Sequence, residues 1–510
     1  MRTEKAFKNV VVSLGSYLLL LLLAIFVRRL LLTNVDVELV AYDGLLSNIF
    51  ALIATADLGA GGLFTYRMYE AFAQQNQRRI QELLNMYRTL FQMLGFFVLA
   101  ICAVLYFLLP VIFAGKVQQW GYFRLMYLLY SASAVLSYFF VYWRILLASA
   151  QVEYQAVRIE TAMQSISAIS KLIVLTVVGS YFCYLLVTTV ISILTPVFVA
   201  FRSKREFAWV QRQDISYADM KKEGFFPELR QLMVVKFANT VNNSTDGILI
   251  TLLVQVRDVA LYGNYILIGS NLCNLITKLI VPLRASIADK VYSEGKNASW
   301  ELYRMIDLFC WFLSSVCFVG YITVFQRAIA VFFGAEFLLP SSFVMAYALN
   351  TYIGFRSQAT VAFRECFGEY GVERIYSVLG MIVNLGCSVL LSLKFGITGI
   401  MLGTVAASLC LWHNRIVIVD KRFFGRSLLK TWGREGGFLL LAFAELFAAS
   451  CITVLIPDTV WGMLLCCCVA VVVPSVINLL LFFRAKEFHQ MVQHIRVLAE
   501  GIWRKVKREG

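Results

Sequence analysis

Long apolar stretches alternate with short polar segments along the 510-residue chain. Fourteen of these stretches approach the length of about 20 apolar residues that a helix needs to cross the hydrocarbon core of a bilayer. We therefore predict an all-α polytopic membrane protein with about fourteen transmembrane helices. The predicted spans lie near residues 9–27, 37–64, 89–113, 122–147, 157–178, 180–201, 232–254, 259–281, 302–324, 341–362, 375–393, 397–417, 436–456 and 461–483.

The segments between the spans divide the chain into five predicted regions. The largest gap carries basic residues among Phe and Trp, which suits an interfacial linker on anionic lipid, although a solvated charged loop would have the same composition. After the last span, apolar residues recur every three or four positions, which predicts an amphipathic surface helix. The regions are an N-terminal six-helix bundle (1–201), a cytoplasmic basic linker (202–231), a C-terminal six-helix bundle (232–417), two additional transmembrane helices (418–483) and an amphipathic basic cytoplasmic tail (484–510).

The basic residues predict how the chain is oriented. Of the 46 Lys and Arg residues, 36 lie in or beside alternate segments that include both termini, six lie in the other gaps, and four lie within spans. The positive-inside rule places the basic-rich segments in the cytoplasm. The bias therefore predicts an even number of crossings with both termini cytoplasmic.

Composition narrows the classes of function. An apolar fraction of 60% with 15% charged residues lies outside the range of soluble globular domains. The net charge of +15 is explained by the predicted cytoplasmic loops, so we do not expect nucleic acid as a partner. The Cys and His residues lack zinc-site spacing, so we expect no metal. Because the loops leave no room for a catalytic lobe and no phosphate-binding loop is present, we expect neither an enzyme nor a cofactor.

The seventh predicted span carries a stripe of polar side chains. At 100° per residue, its members fall within an arc of about 120° and extend for about 15 Å along the helix. Such a stripe is expected to line a cavity or to pack against polar residues of another helix. An alternative for the lysine is that its ammonium reaches the inner interface. The stripe consists of Lys236, Asn239, Thr240, Asn243 and Asp246.

Other charged residues lie in or near predicted spans, where each ionised group costs about 2.5–3.5 kcal/mol on insertion scales. They include Asp57, Lys171 and Glu445, for which a structural ion pair is the alternative to a functional role. Arg28 and Arg29 lie at the outer end of the first span, where they could be ordinary interface anchors. A cavity lined by Arg and Lys would favour an anionic solute, because both groups bind phosphate oxygens strongly.

Four stretches carry a family resemblance. They are DLGAGGLFTYRMYEAFAQQNQRRI from Asp57, NNSTDGILITLLV from Asn242, YGNYILIGSNLCNLITKLIVPLRASIADKVYSEGK from Tyr262, and FGITGIMLGTVAASL from Phe395. These stretches resemble the polysaccharide transporter family of Wzx-type O-antigen and capsule flippases, which belongs to the multidrug/oligosaccharidyl-lipid/polysaccharide exporter superfamily. The resemblance extends over most of the chain.

The resemblance implies two six-helix bundles around a central cavity, two extra C-terminal helices, and alternating access in a bacterial cytoplasmic (inner) membrane. The implied cargo is a polyprenyl-diphosphate-linked oligosaccharide, moved from the inner to the outer leaflet for surface polysaccharide assembly. Polysaccharide polymerase and glycosyltransferases are implied partners. Family members typically have acidic residues at the positions of Asp57 and Asp246, and this chain keeps both. It departs from the family pattern at Arg67 and at Gly247, where Asn is common.

The polar residues and the resemblance together give one hypothesis for the site. Cationic side chains would hold the diphosphate, amide and carboxylate groups would bind the sugar hydroxyls, and the lipid tail would stay in the bilayer. A second set of acids would bind Na+ or H+ for coupling. The cations are Arg28, Lys171 and Lys236, the sugar-binding residues are Asn239, Asn243 and Asp246, and the ion-coupling acids are Asp57, Asp246 and Glu445.

Two other functions remain open from the sequence. A cation-coupled small-molecule exporter of the multidrug type would share the double-bundle plan, but would be expected to have about twelve spans and a cavity dominated by acids. A membrane enzyme acting on lipid-linked sugars would be expected to have an extramembrane lobe.

Overall fold

The computed structural model describes residues 19–54, 60–213, 215, 223–280, 295–367 and 370–493, and these contain helices and no strand. Eleven helices among them are long and apolar enough to cross a membrane. The predicted all-α fold class is confirmed. The count of fourteen spans is not confirmed by the described residues.

The chain forms two compact units, of which one extends from Leu22 to Ala260; the other, which we call the unit that begins at Leu261, also includes residues 19–21 among the described residues. In the Leu22–Ala260 unit, α2 packs against α5, α9 and α10, while α8 packs against α5 and α7. Its helices are α1 (residues 19–34, in this unit from Leu22), α2 (Val37–Ala54), α3 (Ala60–Ala73), α4 (Gln77–Ile112), α5 (Trp120–Tyr138), α6 (Arg144–Ser149), α7 (Tyr154–Ile173), α8 (Tyr181–Glu206), α9 (Phe225–Ser244) and α10 (Asp246–Leu253).

The unit that begins at Leu261 is organised around one long helix, α12, which packs against α13, α17 and α18. Helix α11 (Val256–Ile280) leads into this unit from the other one. The remaining helices are α12 (Gly295–Phe332), α13 (Ser341–Arg356), α14 (Gln358–Phe367), α15 (Tyr370–Phe395), α16 (Ile397–Ile416), α17 (Leu428–Thr453) and α18 (Val460–Phe482).

Two predicted spans are broken in the structure. The seventh, residues 232–254, is divided into α9 and α10, and Thr245 between them lies outside both helices. The tenth, residues 341–362, is divided into α13 and α14, which meet at Ser357. Hydropathy sums over a window and does not detect such breaks, because both arms are apolar.

A tight turn joins α7 to α8. The chain continues from α7 through a wider π-type turn at Val174–Val178 and stops at Gly179, whose φ of 64° favours glycine. The Ser180 hydroxyl then accepts a hydrogen bond from the Cys183 N–H at 3.5 Å and caps α8. The Asn34 amide donates to the Leu175 carbonyl at 3.1 Å, which ties the end of α1 to this turn.

Glycines allow α15 and α16 to pack closely together. A Cβ at Gly399 would collide with the backbone at Leu391, and one at Gly403 would collide with Ser388. After α18 the chain is helical again over residues 486–493, where Phe488 and Met491 pack against a core cluster on α12. The rest of the predicted amphipathic tail lies outside the described residues.

Candidate functional site

Two cationic side chains share one carboxylate in the Leu22–Ala260 unit. Asp43 on α2 interacts electrostatically with Arg28 on α1 and with Lys171 on α7. The Tyr130 hydroxyl on α5 donates a hydrogen bond to Asp43 Oδ1 at 2.8 Å. The Lys171 ammonium lies 5.1 Å from the ring centroid of Tyr184 on α8. We call these five residues the Asp43 cluster.

Neighbouring contacts hold the helices that contribute to the Asp43 cluster. Arg28 Nη2 donates to the Ala260 carbonyl at 2.9 Å, so its guanidinium is oriented by backbone as well as by charge. The Tyr181 hydroxyl donates to the Leu39 carbonyl at 3.3 Å, which fixes α8 against α2. Tyr181 and Tyr184 stack with their ring centroids 5.7 Å apart, and both are buried. The cluster is therefore built on rigid helices.

The Asp43 cluster has an excess of positive charge. Arg28 and Lys171 are each half-buried. As defined, the cluster holds two cations and one carboxylate, and its phenolic hydroxyls add hydrogen-bond donors beside them. Guanidinium and ammonium groups in a site of low dielectric bind phosphate or carboxylate oxygens strongly. The arrangement can therefore bind an anion.

The sequence analysis selected Arg28 and Lys171 as cationic site residues but did not select Asp43, Tyr130 or Tyr184. Asp43 lies inside the second predicted span, and an acid within an apolar run was the signal that could have indicated it. Its pairing with Arg28 and Lys171 depends on how α1, α2 and α7 meet, which hydrophobic periodicity does not determine.

The polar stripe predicted for the seventh span is divided by the break at Thr245. Lys236 on α9 is half-buried, while Asn239 and Asn243 are exposed on the same helix. The Asn243 amide donates to the Asn239 carbonyl at 2.7 Å. Asp246 begins α10 and is 4% exposed, so it does not share the exposed surface of the two asparagines.

A close approach of α10 to α2 explains the glycine at position 247. A Cβ at Gly247 would lie 2.5 Å from the Asn48 amide nitrogen, too close for any larger side chain without movement of Asn48. Asn48 itself donates to the Gly44 carbonyl at 2.7 Å. The departure from the family pattern at Gly247 therefore coincides with tight packing in this chain.

Two further acids, Asp57 and Glu445, were predicted from the sequence to bind a coupling ion. Asp57 falls outside the described residues. Glu445 on α17 is 0% exposed, and neither carboxylate oxygen has a hydrogen-bond partner among the described residues. Ser315 and Asn478 adjoin the carboxyl group without meeting it at hydrogen-bonding geometry. An ionised carboxylate without a partner is very costly in such a setting.

A buried ion network fixes α12, α13 and α17 in the unit that begins at Leu261. The Arg356 guanidinium bonds both oxygens of Glu435, at 2.9 and 2.7 Å, and reaches Asp307 Oδ1 at 3.0 Å. Arg434 contacts both acids at 3.1 Å. Every charge in the network has a partner, which indicates a structural role. The sequence analysis counted Arg356 with the cytoplasmic bias and did not identify the network.

Solved structures with the same arrangement of helices are transporters. The lipid II flippase MurJ in its inward closed conformation matches over 92% of this chain and 98% of its own, with a TM-score of 0.68 and 14% identity. The chain has the fold of transporters of the multidrug/oligosaccharidyl-lipid/polysaccharide exporter (MOP) superfamily. An inward-facing multidrug resistance MATE transporter matches over 80% of this chain and 94% of its own, with a TM-score of 0.57 and 15% identity.

A third structure with the MOP fold, a transporter from Pyrococcus furiosus, matches over 82% of this chain and 96% of its own, with a TM-score of 0.56 and 12% identity. No family model matches the sequence, and no curated protein matches it. The MOP fold and the eleven apolar helices support a multi-pass membrane protein. The Wzx-type resemblance stays a prediction.

Proposed function

We propose that this protein is a flippase that moves a polyprenyl-diphosphate-linked oligosaccharide from the inner to the outer leaflet of the bacterial cytoplasmic membrane by alternating access. The observation that carries the proposal is the Asp43 cluster, in which Arg28 and Lys171 share a single carboxylate. The MOP fold, which the lipid II flippase MurJ has too, supports the same function. The product would serve surface polysaccharide assembly.

The diphosphate is the part of this cargo that most needs positively charged protein groups, because it carries the negative charge. A doubly charged head group cannot enter a medium of low dielectric without counter-charges along its path. Arg28 offers a planar fork of donors to the phosphate oxygens, and Lys171 adds a second positive charge from another helix. Lys236 would meet the head group at a different depth, on α9. The exposed amides of Asn239 and Asn243 would hydrogen-bond sugar hydroxyls.

A multidrug-type exporter is the alternative, because a MATE transporter has the same fold. Cationic drugs would be expected to require a site dominated by acids, whereas the Asp43 cluster carries two cations and one acid. The charge of the cluster therefore favours an anionic cargo over a cationic one.

The test replaces the chromosomal gene in the native host with variants and measures surface polysaccharide. Arg28→Gln and Lys171→Gln should each lower surface polysaccharide at least tenfold, because each removes one phosphate contact of about 1.5–3 kcal/mol. Lys204→Gln on α8 is the matched control, since its ammonium lies over the Trp143 ring instead of in the Asp43 cluster. Normal polysaccharide in both cluster variants, at wild-type amounts of membrane protein, would reject the proposal.

A further inference from the structure

A cavity of about 470 Å³ lies within the Leu22–Ala260 unit, between the end of α5, α7 and α8, and both apolar surface and polar side chains line it. Its volume falls in the range of about 300–1,000 Å³ that is usual for small-ligand sites. Its walls carry hydroxyl and amide groups, one Arg–Glu pair, and apolar patches at Ile191 and Val199. The function proposed above does not use this cavity, which we call the α7–α8 cavity.

The polar groups of the α7–α8 cavity lie on single faces of the two helices. On α7, Glu160, Gln164, Ser167 and Lys171 are spaced so that they fall within an arc of about 60°. This face connects the α7–α8 cavity to the Asp43 cluster, because Lys171 is one of its members. Lys171 lies seven positions after Gln164, which corresponds to about 10 Å along the helix.

The face of α8 has the same character. Tyr184, Thr188, Ser192 and Thr195 fall within an arc of about 80°. The Thr188 hydroxyl donates to the Tyr184 carbonyl at 2.9 Å, and the Thr195 hydroxyl donates to the Ile191 carbonyl at 2.7 Å. Because their hydrogens are used within the helix, these hydroxyl oxygens are available to accept hydrogen bonds.

Two groups in the α7–α8 cavity can also donate. The Gln164 amide and the Ser167 hydroxyl make no hydrogen bond to any residue that the structure describes. Arg144 at the end of the cavity is balanced by Glu153 at 2.9 Å and by Glu160 at 3.4 Å. The cavity therefore offers donors, acceptors and apolar surface without an excess of positive charge.

These properties fit a neutral polyhydroxy ligand. A sugar ring presents hydroxyls that both donate and accept, together with C–H faces that pack on aliphatic side chains. A phosphate would need an excess of positive charge, which the α7–α8 cavity lacks, and a lipid tail would offer no hydrogen-bond partner to the Gln164 amide and the Ser167 hydroxyl. The cations needed for a phosphate lie farther along the same face of α7, in the Asp43 cluster.

We propose that the α7–α8 cavity binds the sugars of the lipid-linked oligosaccharide while the Asp43 cluster binds its diphosphate. This inference rests on the proposed function and adds the place where the glycan is recognised. The two sites lie on one continuous polar face, so a single cargo molecule can occupy both. Gln164 and Thr188 are then the residues that distinguish a cargo with sugar from a bare lipid diphosphate.

The experiment measures binding of two probes to the full-length protein in lipid nanodiscs. One probe is undecaprenyl diphosphate, and the other is the lipid-linked oligosaccharide fraction extracted from the native host after deletion of this gene. The wild-type protein should bind the sugar-bearing probe at least tenfold more tightly. The variant Gln164→Leu with Thr188→Val should lose that preference, because about two hydrogen bonds are not made, while it still binds undecaprenyl diphosphate normally.

The matched control combines Ser165→Ala with Thr189→Val, which changes neighbouring positions of the same helices that do not line the cavity. It should keep the preference. If the double cavity variant does not fold, Gln164→Leu alone, at an exposed position, carries the test.

The outcomes separate the two proposals. The α7–α8 cavity is not the glycan site if the wild-type protein does not prefer the sugar-bearing probe, or if the cavity variant keeps the preference. In either case the proposed function survives as long as Arg28→Gln weakens binding of undecaprenyl diphosphate. If undecaprenyl diphosphate fails to bind, or binds Arg28→Gln as well as it binds the wild-type protein, the proposed function fails and the glycan site falls with it.

Discussion

At the scale of single residues, Asp43 controls the charge of the candidate site. It pairs with Arg28 and Lys171 and accepts a hydrogen bond from Tyr130. A carboxylate in this position offsets part of the free-energy cost of placing two cations in the membrane domain. It also competes with an anionic cargo for the same cations, so binding and release depend on how the charges are shared.

Replacing Asp43 with Asn should strengthen the binding of an anionic cargo. The change removes the competing negative charge but keeps a side chain of the same size beside Tyr130. We expect undecaprenyl diphosphate to bind about fivefold more tightly, which corresponds to about 1 kcal/mol. Binding to the full-length protein in nanodiscs measures the effect. Weaker binding in Asp43→Asn would show that the carboxylate supports the anion site instead of competing with it.

Two buried glutamates on α17 should respond differently to the same substitution. Glu435 is ion-paired with Arg356, whereas Glu445 has no hydrogen-bond partner among the described residues. Glu435→Gln should destabilise the protein by about 3–5 kcal/mol, because it breaks a buried pair. Glu445→Gln should leave stability nearly unchanged, since it keeps the size of the side chain and breaks no hydrogen bond among the described residues.

Thermal unfolding of both variants in detergent measures this difference. Glu445→Gln should also make transport insensitive to a proton gradient if Glu445 carries the coupling proton. Equal loss of stability in the two variants would mean that Glu445 is ionised and paired. Transport by Glu445→Gln that still follows the gradient would exclude the coupling role.

Only part of the candidate site could be predicted from the sequence. Arg28 and Lys171 were predictable, because a charge near or inside an apolar run requires an explanation. The partner that joins them, Asp43, was not predicted, since it comes from a different helix. The stripe of the seventh span was predicted as one surface, but the break at Thr245 separates Asp246 from Asn243.

At the scale of helices, an ion pair joins the linker before α9 to the start of α4. Glu223 receives hydrogen bonds from Arg79 Nη1 and Nη2 at 2.9 and 2.7 Å, and its backbone carbonyl accepts one from Arg67 at 3.1 Å. Hydrogen bonding to Arg79 holds the pKa of Glu223 below its usual value. The contribution of this pair to stability is therefore complete above the pKa of an unfolded glutamate, about 4.3, and is lost as the pH falls through the native pKa.

Glu223→Gln should lower the thermal midpoint at neutral pH and have less effect in acid. The reason is that protonation of Glu223 in the wild-type protein removes the same ion pair that the substitution removes. Thermal unfolding from pH 7 to pH 3 measures both proteins, with Glu206→Gln in the surface pair with Arg202 as the control. A difference between wild type and Glu223→Gln that grows as the pH falls would contradict this account.

The helices themselves were largely predictable because bilayer thickness fixes the length of an apolar run. Helices α5, α8, α17 and α18 each overlap a predicted span. The errors lie where two apolar arms meet at a break, at Thr245 and at Ser357. Hydropathy averages across such a point, whereas the break depends on local backbone geometry and on packing against other helices.

At the scale of the whole molecule, the fold is shared by transporters of different cargo, so the fold alone does not select the substrate. The MOP fold matches both the lipid II flippase MurJ and a multidrug resistance transporter. The features that bear on the cargo are therefore particular side chains of this chain. They are the two cations that share one carboxylate and the polar face of α7 that extends away from them. The central claim is that these residues carry a lipid diphosphate with its sugars across the bilayer.

Reconstituted translocation tests this claim most directly. Proteoliposomes are loaded with the lipid-linked oligosaccharide fraction of the host, and a glycosidase added outside then reports how fast sugars from the inner leaflet become accessible. The account predicts that the wild-type protein exposes nearly all of the sugar, whereas Arg28→Gln leaves about half of it protected, as in liposomes without protein. Equal exposure in wild-type, Arg28→Gln and protein-free vesicles would contradict the account.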